Sequence, residues 1–293
     1  MRKVNAKGAA KSGQAVCLAL GLSLFLPLQA GAAATRVHKA GDTMTGALTL
    51  PGDPSSALQA TPKQYVDSWT RSCVNPGNAA DIMVPVGSWC VDKYEASVWS
   101  AATGGTQYGT ASNNYPGADD GQTNGVGAAN PIYARSVVSV TPSAYITWHR
   151  ANVACINAGK ELLPNAVWQA AAAGTPKPTV AGDACKAFNT PAGPSVTGVN
   201  TGCVSSYAVE NMTGSLWEWV AEWGSYSPVA NGVWPAGPGS GEYLYGNGSA
   251  TIGAVLRGGA WGSGAFAGVF AFNANGGPSL VDNLVGFRCG RRR

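Results

Sequence analysis

Histidine is almost missing from this chain. Only His38 and His149 occur among 293 residues, and no C-x-x-C spacing is present, so a Cys/His metal site and a histidine-centred relay both lack their parts. Charge is scarce as well: Asp, Glu, Lys and Arg make up 12% of the residues, about half the usual share. No G-x-S-x-G and no paired-carboxylate arrangement is found. Gly262-Ser-Gly264 and Gly237-Pro-Gly-Ser-Gly241 lack the strand–turn–helix context of a phosphate loop. After Leu28 no stretch is long and apolar enough to cross a bilayer, so no transmembrane span is expected in the mature chain.

What is present begins with an export signal over residues 1–34. Arg2, Lys3, Lys7 and Lys11 form a basic start, Ala15 to Leu28 an apolar core, and Ala30-Gly-Ala-Ala-Ala34 a small-residue cleavage site. Loss of these four cations leaves equal numbers of basic and acidic residues, which removes the electrostatic support for a nucleic-acid partner. It also removes Cys17 and leaves six of the seven cysteines. An even number in an exported chain points to three disulfides, whose pairing the spacing leaves open.

The end of the chain is the most unusual part. Between Leu256-Arg-Gly-Gly-Ala-Trp261 and Gly286-Phe-Arg-Cys289 the sequence has no Lys, Glu, Gln, Met or Trp, yet carries Phe266, Phe270 and Phe272, three of the six Phe. Aromatics set among Gly, Ala, Ser and Asn fill a core poorly. They suit a recognition surface, where rigid rings supply contact area and small polar residues adapt around them.

Three segments are expected: the signal, a stalk over 35–71, and a domain over 72–293. Gly41-Asp-Thr-Met-Thr-Gly46 and Asp53 to Asp67 resemble a phage tail-fibre repeat, which implies a short stalk and a homotrimer formed through it. Ser97 to Asn130 reads as a long surface excursion, and Asp119 to Gly125 within it as a solvated turn. Helix is expected only across Ala144 to Ala173, with Trp148, Cys155 and Ile156 near one face, Gly159 as a stop and Asn165 as a second N-cap. Elsewhere short apolar runs alternate with turns. The fold class is therefore α+β, loop-rich, with two adjacent helices and irregular β structure.

Four segments match one family in order: Val84 to Ser97, Thr147 to Cys155, Asn211 to Trp223, and Leu256 to Trp261 with Gly286-Phe-Arg288. They resemble the formylglycine-generating, or sulfatase-modifying factor, family, which implies a C-type-lectin-like fold. The family oxidase binds copper(I) through two cysteines after Arg-Gly-Gly. Those positions fall on Ser263 and Gly268 here, so no copper and no oxidase activity are expected. One family calcium loop maps to Asn211, Met212, Gly214 and Leu216. Lys186 stands where the other calcium site has an Asn, so at most one Ca2+ is expected. Family practice joins the helix cysteine to the one after Gly-Phe-Arg, giving Cys155–Cys289, with Cys185–Cys203 and Cys73–Cys90 as local staples. Glu218 and Arg257 are expected to satisfy the Trp N–H groups or each other.

Within that family, residues 256–290 are most similar to the variable region of diversity-generating-retroelement proteins. Adenine-directed mutagenesis there excludes Lys, Glu, Gln, Met and Trp, as observed. Ala267-Gly-Val-Phe270 and Pro278-Ser279 resemble unvaried framework. The varied, ligand-contacting positions are then Gly262, Ser263, Ala265, Phe266, Phe272, Asn273, Asn275, Leu280, Val281, Asp282 and Leu284. The resemblance implies an exported protein, secreted or held at the cell surface or in the periplasm, that binds a protein or glycan. Alternatives are a sulfatase-modifying-type enzyme with altered chemistry and a structural fibre tip.

Overall fold

The computed structural model describes residues 72–75, 77–118, 123–224, 232–246 and 252–293. The signal, the stalk and part of the Asp119 to Gly125 loop lie outside them. Contacts divide the chain into residues 1–49 and 50–293, and every described residue belongs to the second unit.

Its described residues are α+β and form three sheets. A tight hairpin starts it: β1 (Met83–Val86) turns through Gly87, at φ +56°, into β2 (Trp89–Asp92). The last strand, β13 (Cys289–Arg292), lies between β2 and the short β6 (Glu161–Leu162), so the two ends of the domain close one sheet in the order β1-β2-β13-β6. A three-stranded sheet pairs β3 (Ser97–Trp99) with β4 (Gln107–Tyr108) and β5 (Tyr133–Arg135). The third holds the distinctive segments: β7 (Trp217–Gly224), β8 (Gly232–Val233), β9 (Tyr243–Tyr245), β10 (Gly253–Arg257), β11 (Phe272–Asn273) and β12 (Val285–Phe287), ordered β12-β7-β10-β11-β9-β8.

Helix occupies less of 144–173 than expected. α1 (Trp148–Asn157) begins at Thr147, whose hydroxyl accepts from the Arg150 N–H, and α2 (Asn165–Ala171) begins after Pro164. Asn165 is the first helical residue and not the cap. Its N–H donates to Glu222 while its side chain accepts from Arg257. Ile156 is 57% exposed, because α1 buries Ala151, Ala154 and Cys155 on the opposite side. Between the helices, Gly159 at φ +68° does end α1.

The 97–130 excursion is anchored more firmly than its composition suggests. It opens with β3 and β4, the buried Tyr115 hydroxyl donates to Ala144 O, and Arg150 donates to Asn113 Oδ1 and Gly117 O. Three disulfides, Cys73–Cys90, Cys155–Cys289 and Cys185–Cys203, complete the frame as the family resemblance implied. Cys155–Cys289 ties α1 to β13 across 134 residues of chain.

Sheet position explains β7. Its first half runs between β12 and β10 and is covered on both faces, so Trp217, Glu218, Trp219 and Val220 are all buried. A carboxylate so placed must be paired. Glu218 receives two bonds from Arg288, at 2.6 and 2.8 Å, and the Trp168 indole N–H at 2.7 Å. Of the two expected alternatives Glu218 fills the first, holding a Trp N–H, while its ionic partner is Arg288 and not Arg257. The remaining guanidinium hydrogens of Arg288 go to the carbonyls of Asp92, Lys93 and Glu210.

Candidate functional site

The Arg257-Gly-Gly motif builds the base of the 262–285 segment. Arg257 is buried between β10 and α2, with its guanidinium 4.8 Å from the Trp168 ring centroid and 5.8 Å from that of Phe272. Its Nε donates to Ala271 O at 3.0 Å, Nη2 to Val269 O at 2.9 Å, and Nη1 to Asn165 Oδ1 at 2.6 Å. Burial with so few counter-charges pushes its pKa down to about 10. Gly258 and Gly259 then turn at φ +89° and +85°, and a Cβ on Gly259 would stand 2.7–2.8 Å from Ala267. Only glycine fits there.

The far end of the segment is tied to other elements through its backbone. Tyr145 N–H donates to Asp282 O, Trp148 N–H to Pro278 O, and Trp217 N–H to Leu284 O, each at 2.8–2.9 Å. The side chains expected to vary consequently ride on a backbone tied to other elements.

Those side chains divide into two groups. Gly262, Ala265, Phe266, Asn275 and Val281 are exposed, and Asn273 and Asp282 half-exposed. The Asn273 and Asp282 carboxamide and carboxylate accept from the N–H groups two residues on, at Asn275 and Leu284, which sets two local turns. Ser263 departs from the expected surface: it is 7% exposed, and its hydroxyl accepts from the Ala260 N–H at 2.9 Å. Leu280 and Leu284 pack on the core around Trp217 and Trp219, and Phe272, paired in β11, packs on the cluster around Trp168. For these four the dominant contact is internal, because the backbone between Ala260 and Val285 lies directly on the sheet.

Sequence reasoning missed the aromatic ladder beside this segment. Phe266, 46% exposed at the end of a 3-10 turn, stacks on Tyr243 with centroids 4.9 Å apart and planes 30° from parallel. Tyr243 also neighbours Tyr245 at 4.6 Å and Trp217 at 6.1 Å. The signal was available in Glu242-Tyr-Leu-Tyr245. Alternation places the two Tyr on one face of β9 while Leu244 is buried on the other. Burial pushes the Tyr245 hydroxyl pKa upward, aided by its hydrogen bond with Tyr243. The exposed Phe266 ring is thus backed by Tyr243 and Tyr245, and the other exposed or half-exposed expected positions add small, apolar and amide groups, with Asp282 as their charge.

The copper chemistry implied by the family does not fit the residues present. Ser263 already holds the Ala260 turn, and a Cβ at Gly268 would meet the Glu242 carboxylate at 1.9–2.4 Å. Glu242 is itself buried; burial raises its pKa, while its Oε2 accepts from the Phe270 N–H at 2.7 Å. All six cysteines of the domain are paired. No thiolate donor remains for copper(I). At the calcium positions, Asn211, Met212, Gly214 and Leu216 share a tight turn, but Asn211 Oδ1 accepts from Asn200 at 2.9 Å and its Nδ2 donates to Glu95. Ser215 Oγ and the Leu216 N–H donate to the same Glu95 carboxyl. The Asn211 side chain and the Ser215 and Leu216 donors are thus engaged by Asn200 and Glu95. Among the described residues no three His, Cys, Asp or Glu side chains gather as metal ligands.

No curated protein matches the chain. Its structure is similar to the Major Tropism Determinant U1 variant, at 24% identity and TM-score 0.46 over 73% of this chain and 53% of that one. The M1 variant of the same protein gives 22% and 0.47 over 73% and 53%. Treponema denticola variable protein 1 gives 18% and 0.37 over 72% of this chain and 99% of that one. The chain thus spans about half the length of the first two. Residues 113–293, from the anchored excursion through the Arg-Gly-Gly base to the last strand, match the sulfatase-modifying factor enzyme 1-like domain, and the chain belongs to that family.

Proposed function

We propose that this chain is an exported ligand-binding protein, without enzymatic activity, that recognises a protein or glycan through the face formed by 262–284 and the Tyr243 ladder. The observation that carries this reading is the Phe266–Tyr243 stack, an exposed ring held at a fixed angle by a partly buried one. Aromatic area left in water costs about 25 cal/mol per Å2 unless a partner covers it. The base beneath is clamped by Arg257, so exposed side chains can change without moving the backbone. This is the arrangement a variable protein needs, and it agrees with the exclusion of Lys, Glu, Gln, Met and Trp from 262–285. Export is supported by the signal-like start and the three disulfides. A stalk over 35–71 and trimer formation through it remain part of the same proposal.

A display library tests it. Gly262, Ala265, Phe266, Asn273, Asn275, Val281 and Asp282 are diversified in the full chain and the pool is selected against an unrelated protein target. Recovery of folded binders that differ only at these positions supports a variable recognition face. Selection that returns no folded binder contradicts it.

A further inference from the structure

We propose that a second site exists: the cavity walled by residues 182–200 binds a small organic anion with an apolar body, its charge met by Lys186. The cavity measures about 520 Å3, a size typical of small-molecule sites. Phe188, Pro191, Pro194, Val196 and Val199 give it an apolar lining. Two charged residues, Asp183 and Lys186, line it, and they are not equivalent. Asp183 accepts with Oδ2 from the N–H groups of Thr179 and Val180 at 2.6 and 3.0 Å and from the Thr179 hydroxyl, bonds that hold its pKa low and its charge out on the turn. The Lys186 ammonium has no hydrogen-bond or ion-pair partner among the described residues, and the residue is half-buried. An ammonium drawn from water with no counter-charge gains most from an anion placed against it.

The walls are pre-formed. Cys185–Cys203 staples one side, Ser215 N–H donates to Lys186 O at 2.7 Å, and Asn200 Nδ2 donates to Ser195 Oγ at 2.7 Å. The wall is also joined to the recognition face: Gly264 N–H donates to Ala187 O at 2.7 Å and Asn189 N–H to Trp261 O at 2.5 Å. The site does not depend on the face for its chemistry.

A matched pair of fluorescent probes tests it on the native, disulfide-bonded full chain. 8-Anilinonaphthalene-1-sulfonate has an aromatic body and one anionic group; N-phenyl-1-naphthylamine has the same body without the charge. Saturable binding of the sulfonate, tighter than the neutral amine, is expected. Lys186→Gln weakens the sulfonate about tenfold or more and leaves the amine unchanged, whereas Lys186→Arg retains both. Ala192→Trp, at an exposed position on the cavity wall, blocks both probes, and Phe266→Ser affects neither. No saturable sulfonate binding, equal affinity in Lys186→Gln, unchanged affinity in Ala192→Trp, or loss in Phe266→Ser would each overturn the proposal.

Discussion

Gly268 and Glu242 occupy one another's space: the Glu242 carboxylate carbon lies 1.9 Å from where a Cβ on Gly268 would stand. The buried carboxylate fills the position a second copper-binding cysteine would need, and in doing so holds the Phe270 N–H. Gly268 is thus coupled to a polar anchor for the 262–285 segment.

Restoring the family cysteines should therefore fail structurally before it fails chemically. Ser263→Cys with Gly268→Cys is expected to lower stability by about 1–3 kcal/mol through overpacking against Glu242. With copper(I) and a cysteine peptide it should give no formylglycine. Urea unfolding midpoints and mass spectrometry of the peptide check both parts; an undisturbed midpoint with product formed would contradict the geometry.

Arg257→Lys should loosen the base of the segment. Lysine cannot serve the carbonyls of Ala271 and Val269 and the Asn165 amide together, so a loss of about 1.5–3 kcal/mol is expected. Hydrogen exchange checks the location: faster exchange at Gly258, whose N–H donates to Ala271 O, and at Ala271 itself, is predicted.

Stability should fall as pH rises from about 5 to 8. Burial, then repulsion from Glu218, pushes the Glu95 pKa from 4.5 up to about 8, so the folded state holds a proton that the unfolded chain releases. A group raised in this way contributes its full stability below the unfolded pKa and loses it through the folded one. Asp92, raised to about 7 chiefly by burial, acts in the same direction. Glu95→Gln should flatten part of the slope. Melting temperatures across this range decide it, and a slope of opposite sign would remove the assignment.

Cutting the long staple is predicted to cost about 5 kcal/mol in the chain-entropy model, since Cys155–Cys289 closes 134 residues. Cys155→Ala with Cys289→Ala should unfold well below the parent, by more than the loss of Cys73–Cys90, which closes 17.

Much of this architecture was legible in the chain. The disulfides and α+β class followed from motifs in order, because Arg-Gly-Gly, Trp-Glu-Trp and Gly-Phe-Arg each carry a packing duty that admits few alternatives. Helix limits were misread because Thr147 and Pro164 outcompete the composition-based boundaries, and Ile156 because the helix packs through alanines. Ser263 and Phe272 looked like surface for a physical reason: local composition does not reveal that a loop lies flat on a sheet. The Glu218–Arg288 pair spans 70 residues and has no local signature at all.

The most direct test of a recognition face is a paired comparison at Phe266. Wild type and Phe266→Ser are applied to a glycan array and a panel of surface proteins, with near-ultraviolet circular dichroism and a thermal melt recorded for each. Because Phe266 is exposed, the variant should keep the parent spectrum and lose no more than about 1.5 kcal/mol, the worth of an aromatic pair. It should also lose the parent's binding. Unchanged binding, or a variant that no longer melts cooperatively, would show that this ring belongs to the core or to nothing, and that the face is not where the protein meets its ligand.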